Sequence, residues 1–264
     1  LEAWRENNPV PLEEKAETEV IGVEEAFTNR NLSATLREME KSMKRNGIDF
    51  CAVMPVAPYV TFEDVKAASE KNPHIIPFTT IDFSAENPER KLLEDVKHGA
   101  KGLKIHPIIQ KVRLDEARVY KILETWEQTG LPVLPHLGVA EYYPADKAWM
   151  DEPRNGEIEP FLKLTEAFPK INFIAGHGGN EFWETLLDTC ADRKNVYMDT
   201  SMASTHSMRG FLKEWGSQRM LFASDWPWLR QDVAVALVEQ EITSQKDKEN
   251  VYYKNACNIM RTEL

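Results

Sequence analysis

The chain has 264 residues, 42% of them hydrophobic and 28% charged, with a formal net charge of −11 at pH 7. That length and mixture suit one α/β barrel with a sizeable core. A polyanionic surface repels phosphate backbones and anionic lipid, so nucleic acid and membranes are excluded as expected partners. A small-molecule substrate remains, with a homodimer as the one assembly left open. No apolar run approaches the roughly 18 residues of a membrane span. Cys51, Cys190 and Cys257 form no C-x-x-C pair and read as reduced core residues of a cytoplasmic protein.

In chain order, residues 5–19 are rich in charge and proline and read as a loop over a barrel mouth, as do residues 139–160. Short apolar runs predict strands at Val20–Glu24, Phe50–Pro55, Ile75–Ile81, Gly102–His106, Val133–His136, Ile171–His177, Val196–Thr200 and Met220–Asp225. Helical stripes separate them: Leu32, Leu36, Met39 and Met43; then Val119, Ile122, Leu123 and Trp126; then Phe182, Trp183, Leu186, Leu187 and Cys190. Gly47, Gly99 and Gly130 stand where helices hand over to strands, the place of a left-handed C-cap. Strict alternation predicts parallel strands with right-handed crossovers, and eight units in one domain over 1–264 predict a closed (β/α)8 TIM barrel. No Gly-x-Gly-x-x-Gly or P-loop run follows any strand, which argues against a nucleotide-binding fold.

Strand side chains alternate between barrel interior and helix layer. Leu103 and Ile105 are expected outward, so Lys104 and His106 point inward. His136 is expected inward with Leu134, His177 with Phe173 and Ala175, and Asp225 with Leu221 and Ala223. These polar groups converge on the C-terminal rim, where barrel enzymes keep their sites. Other readings exist for each: Asp225 as the N-cap of a helix at Trp226-Pro227, His106 as a strand end before Pro107, Lys104 as partner of an internal carboxylate, Asp199 as a loop carboxylate. Histidine and carboxylate without cysteine form a ligand set for one divalent metal: zinc first, manganese or iron as alternatives. Such a metal polarises a carbonyl and acidifies bound water.

Six stretches carry a family resemblance: residues 102–107 (GLKIHP), 131–138 (LPVLPHLG), 173–179 (FIAGHGG), 195–201 (NVYMDTS), 219–227 (RMLFASDWP) and the terminal Asn255-Ala256. In this order and spacing the chain resembles the amidohydrolase-related branch (amidohydrolase 2) of the metal-dependent hydrolase superfamily, over about residues 30–264. The resemblance implies catalytic roles for His177 and Asp225. It implies metal ligation by His136 and Asp225, with His177 beside the metal, and Lys104, His106 and Trp226 are the expected substrate contacts. It implies hydrolysis of a C–N or C–O bond in a small carbonyl or carboxylate substrate. Family alternatives are non-oxidative decarboxylation of a small unsaturated or aromatic acid and metal-independent lactone hydrolysis; a degenerate, non-catalytic barrel is a third.

One departure bears on the metal. The family opens with His-x-His or Glu-x-His on its first strand, and no His-x-His occurs in this chain. Val20-Ile21-Gly22-Val23-Glu24-Glu25-Ala26-Phe27 resembles the decarboxylase form with alanine in place of the histidine, which would make Glu24 a ligand. The other reading puts a first strand before Leu1; the loop-like residues 1–19 favour it and the need for eight strands opposes it. Without a first-strand ligand the expectation is that metal is absent.

Overall fold

The computed structural model describes residues 34–143 and 149–263; the candidate strand at Val20–Glu24, and Glu24 with it, lies outside them. All the described strands pair in parallel. They are β1 (Cys51–Val53), β2 (Ile75–Pro77), β3 (Thr79–Thr80), β4 (Leu103–Ile105), β5 (Val133–Pro135), β6 (Phe173–Ala175), β7 (Val196–Asp199) and β8 (Met220–Leu221). The predicted strand at 75–81 is split at Phe78, where the chain changes partner. Phe78 N–H donates to Val53 O, and Thr79 N–H donates to Gly102 O. The order thus runs β1, β2/β3, β4, β5, β6, β7, β8. Among the described residues β1 and β8 are not paired, so the sheet is not closed.

Helices cover the sheet: α1 (Leu36–Arg45), α2 (Phe62–Lys71), α3 (Pro88–Lys97), α4 (Ala117–Trp126), α5 (Ile158–Ala167), α6 (Trp183–Thr189), α7 (Thr205–Glu214), α8 (Gln231–Glu241), α9 (Gln245–Glu249) and α10 (Asn255–Met260). Their starts are local chemistry. Thr61 and Asp64 make a reciprocal capping box on α2, as do Ser204 and Ser207 on α7, and Asn87 caps α3 ahead of Pro88. The predicted helix exits at Gly47, Gly99 and Gly130 all have positive φ. None of the helices among the described residues is long and apolar enough to cross a membrane.

Register sorts the core into two layers. Leu103, Val133, Phe173 and Val196 are neighbours across β4–β7 and join the large cluster shared with the helices, including Phe161 and Leu164 of α5. The alternate residues Leu134, Ile174 and Leu221 join Ile76, Phe78, Ile259 and Met260 in a smaller interior cluster. Gly102 is there by steric demand: a Cβ would lie 2.3 Å from the Phe78 ring. Lys104 pairs in register with Thr80 and Leu134, so it faces inward as expected. The expectation for Phe173 and Ala175 is corrected. Both pack outward with the helix layer, Phe173 edge-on to Phe161 at 6.0 Å, and Ile174 takes the inward place. Strict alternation counted back from His177 fails because His177 is not part of the strand.

Candidate active site

β6 ends at Ala175, and simple alternation would then turn position 177 outward. Instead His177 (φ 58°), Gly178 (φ 57°), Gly179 (φ 82°) and Asn180 (φ 49°) all lie at positive φ. Glycine adopts that region freely, whereas His177 is held there at a cost of about 1–2 kcal/mol. Its backbone N–H donates to Asp199 Oδ1 at 3.1 Å. The inverted turn swings the imidazole into the barrel. Gly176 leaves the space for this, since a Cβ there would lie 2.6 Å from Pro135 O.

The three strand-end histidines meet. His177 Nε2 and His136 Nδ1 are 2.9 Å apart. The His106 ring stacks on His136, with centroids 4.2 Å apart and planes 13° from parallel. Ile109 N–H donates to His106 Nδ1, leaving its Nε2 as the protonated nitrogen. All three are buried. Burial, reinforced for His106 by Lys104 and for His136 by His106, holds both well below the usual histidine range, so both are neutral.

A chain of hydrogen bonds runs inward from this pair. His177 Nδ1 lies 2.9 Å from Ser201 Oγ, and the Ser201 hydroxyl donates to Asp199 Oδ1 at 2.5 Å. Asp199 Oδ1 also accepts the Ser201 N–H at 2.9 Å. Asp199 is therefore the internal anchor of the histidine pair and no mere loop carboxylate. At the other end His136 Nε2 lies 3.2 Å from the Tyr142 hydroxyl.

Lys104 is buried at 7% exposure and makes no hydrogen bond or ion pair among the described residues. Burial lowers its ammonium despite the opposing fields of Asp225 and Asp199. Asp225 (φ 53°) follows β8 and does not sit within it. Thr200 fixes its approach: Thr200 Oγ1 donates to Ala223 O at 3.2 Å and accepts Ala223 N–H at 3.0 Å. The Asp225 carbonyl accepts the Trp228 and Leu229 N–H groups. The carboxyl senses His177, Lys104 and Asp199, and burial raises it above the usual carboxylate range. It caps no helix, because α8 begins at Gln231. Trp226 packs on the Met39, Met43, Val65 and Ile75 cluster of the helical side.

Metal fit follows from the donors. Among the described residues no three His, Cys, Asp or Glu side chains are grouped to hold an ion. His136 has Nδ1 engaged with His177 and Nε2 with Tyr142. These residues alone do not make a metal centre, and the expected fourth ligand, Glu24, is outside them.

Sequence reading brought out His106, His136, His177, Lys104 and Asp225 but gave no role to Ser201 or Tyr142. The available signal was the run Asp199-Thr200-Ser201, three hydrogen-bonding side chains in succession at a strand end.

Comparison with known proteins places this geometry. The amidohydrolase family model matches residues 28–260. No curated protein sequence matches the chain. Among solved structures, an uncharacterised TIM-barrel protein from Bordetella bronchiseptica is 17% identical, with a TM-score of 0.73 over 86% of this chain and 83% of that one. A 5-carboxyvanillate decarboxylase from Sphingomonas paucimobilis is 17% identical, with a TM-score of 0.70 over 90% of this chain and 86% of the other. A dihydroxybenzoic acid decarboxylase from Polaromonas sp. JS666, with bound manganese and the inhibitor 2-nitroresorcinol, is 20% identical, with a TM-score of 0.69 over 96% of this chain and 90% of that one. The fold is that of a (β/α)8 barrel. With the family's stretches in order along most of its length, the chain belongs to the amidohydrolase family.

Proposed function

We propose that the protein is an enzyme that removes CO2, without oxidation, from a small unsaturated or aromatic carboxylic acid. The observation that carries this reading is the buried Lys104 ammonium, which has no hydrogen bond or ion pair among the described residues and lies in the field of Asp225 and Asp199. A buried cation whose burial Asp225 and Asp199 only partly offset is costly, and a substrate carboxylate would offset the remainder. The likeness to two decarboxylases of hydroxylated aromatic acids supports the same substrate class.

Each step can be assigned to the chain's own groups. Lys104 holds the substrate carboxylate. Asp225, raised by burial, is biased toward its acid form and delivers a proton to the carbon bearing that carboxylate. The C–C bond then breaks, CO2 leaves, and its electron pair restores the conjugated system. Asp225, now a carboxylate, recovers a proton from solvent. His177, backed by Ser201 and Asp199, accepts and returns the proton of a substrate hydroxyl. His136 and His106 are buried neutral walls of the same space.

The manganese of the Polaromonas decarboxylase supports a divalent metal as part of this reading. With both His136 nitrogens engaged and Asp225 assigned as the proton donor, the described residues do not by themselves supply its ligands, and the steps above are carried by the chain's own groups.

Hydrolysis of a C–N or C–O bond is the second reading, favoured by the His136–His177 pair, which suits polarisation of a carbonyl while Asp225 activates water. The test is a set of hydroxybenzoic and unsaturated acids, with matching lactones and amides, offered to the enzyme with and without manganese. CO2 released in step with loss of acid is the expected result. Ring-opened or deacylated product without CO2 would transfer the assignment to hydrolysis.

A further inference from the structure

We propose that Thr80 is a second substrate-binding residue, whose hydroxyl proton meets the same carboxylate that Lys104 holds. The inference rests on the carboxylate-binding role given above to Lys104 and adds the neighbour that shares the anion.

Strand pairing puts the two residues side by side. Thr80 is in register with Lys104 across β3 and β4, so their backbones lie about 4.8 Å apart and their side chains stand on the same inward face. Thr79 faces the other way, where its hydroxyl donates to Asp95 Oδ2 at 2.5 Å. Thr80 and Lys104 are only 8% and 7% exposed. Thr80 also lines a cleft of about 900 Å³ between the starts of α2 and α3, bounded by Ala57, Phe62, Ala85 and Asn87, so the space beside it admits a ligand.

The direction of the Thr80 proton follows from Gln110. The His106 N–H donates to Gln110 Oε1 at 2.6 Å, which fixes the carbonyl end of that amide. The NH2 end donates to Ile81 O at 2.6 Å and to Thr80 Oγ1 at 3.2 Å. Thr80 is therefore the acceptor in its bond with Gln110, and its own proton points elsewhere. Among the described residues no hydrogen bond uses that proton. The Lys104 ammonium beside it has no lone pair and cannot take it. Two adjacent buried groups thus offer donors with no acceptor between them. A carboxylate, with two oxygens for two donors, satisfies both.

The bond also has a kinetic signature. A carboxylate carries its charge in the bound acid and loses it as CO2 forms, so Thr80 stabilises the bound acid more than the transition state. Its removal should raise KM and leave kcat nearly unchanged.

The test is Thr80→Val in the full chain, which keeps the branched shape and removes the hydroxyl. The probes are benzoate and nitrobenzene, which has the same planar shape and no net charge. Binding is followed by NMR titration, alongside steady-state kinetics on an acid that the unaltered enzyme decarboxylates. Thr80→Val is expected to weaken benzoate binding about tenfold or more and to leave nitrobenzene within about twofold. KM should rise with the benzoate constant while kcat stays within about twofold. Thr80→Ser, which restores the hydroxyl, should return benzoate affinity to within about threefold of wild type, a rescue that a merely structural role for the branched side chain would not give. Thr80→Ala serves as the second variant where Thr80→Val does not fold. Benzoate that binds wild type and the hydroxyl-free variant alike, or binds neither, would overturn the proposal, as would failure of Thr80→Ser to restore binding. Benzoate affinity lost in Thr80→Val and restored in Thr80→Ser, with no CO2 released from any acid, would support it and count instead against the decarboxylase reading.

Discussion

His177 Nε2 lies 2.9 Å from His136 Nδ1, joining two side chains 41 residues apart in sequence that leave the ends of adjacent strands. The contact exists because His177 takes a left-handed backbone conformation, and Asp199 holds it there through the His177 N–H.

Ser201→Ala removes the link between His177 Nδ1 and Asp199 while leaving the strand ends in place. Turnover should fall about ten- to a hundredfold, with the melting temperature lowered only slightly. Wild-type kcat in this variant would show that Asp199 has no part in orienting His177.

Lys104→Met replaces a buried cation that has no close partner among the described residues by a side chain of similar length. Activity should be lost while stability rises by about 1 kcal/mol or more, which is about 2–4 °C in melting temperature for a chain of this size. The sign follows from the lowered pKa: the folded state disfavours the charged ammonium, so the cost is present below the ordinary lysine value and disappears when the charge is removed. Thermal unfolding at pH 7 checks it, and a lower melting temperature would mean that Lys104 has a stabilising partner.

Acid should destabilise the fold through His106 and His136. Both are held well below 6.5 in the folded protein, so the unfolded chain binds the extra protons first. Their contribution is complete above about pH 6.5 and declines as pH falls from there toward the folded-state values. Urea unfolding at pH 7.5 and at pH 5 should show the loss, and His106→Asn should flatten the slope. An unchanged slope would contradict the neutral assignment.

Gly176→Ala tests the space that admits His177. The new methyl would meet the Pro135 carbonyl at 2.6 Å, a backbone atom that cannot step aside cheaply. A loss of about 1–3 kcal/mol is expected, with activity falling in parallel. A fully active, equally stable variant would show that the chain bends freely there.

Much of this site was legible from strand ends. Lys104, His106 and His136 face inward because they obey a period of two along strands that are regular up to those positions. Phe173 and Ala175 were misplaced by counting the same period back from His177, across a left-handed turn that sequence periodicity does not encode. Tyr142 was illegible, and Ser201 legible only as part of the polar run Asp199-Thr200-Ser201, for a related reason. Each reaches the histidines from a loop, where only backbone hydrogen bonds such as those to Asp151 and Asp199 determine direction. Three separate helix-exit glycines, by contrast, were legible because one local conformation demands them.

Asp225 gives the most direct test of the central claim, that a half-buried acid in the field of Lys104 protonates the carbon that loses CO2. The measurement is CO2 release by Asp225→Asn on an acid that the unaltered enzyme decarboxylates, with binding of that acid followed separately. The amide keeps the shape but has no carboxyl proton to give, so release should fall by at least about a hundredfold while the acid still binds. CO2 release at the unaltered rate would contradict the account.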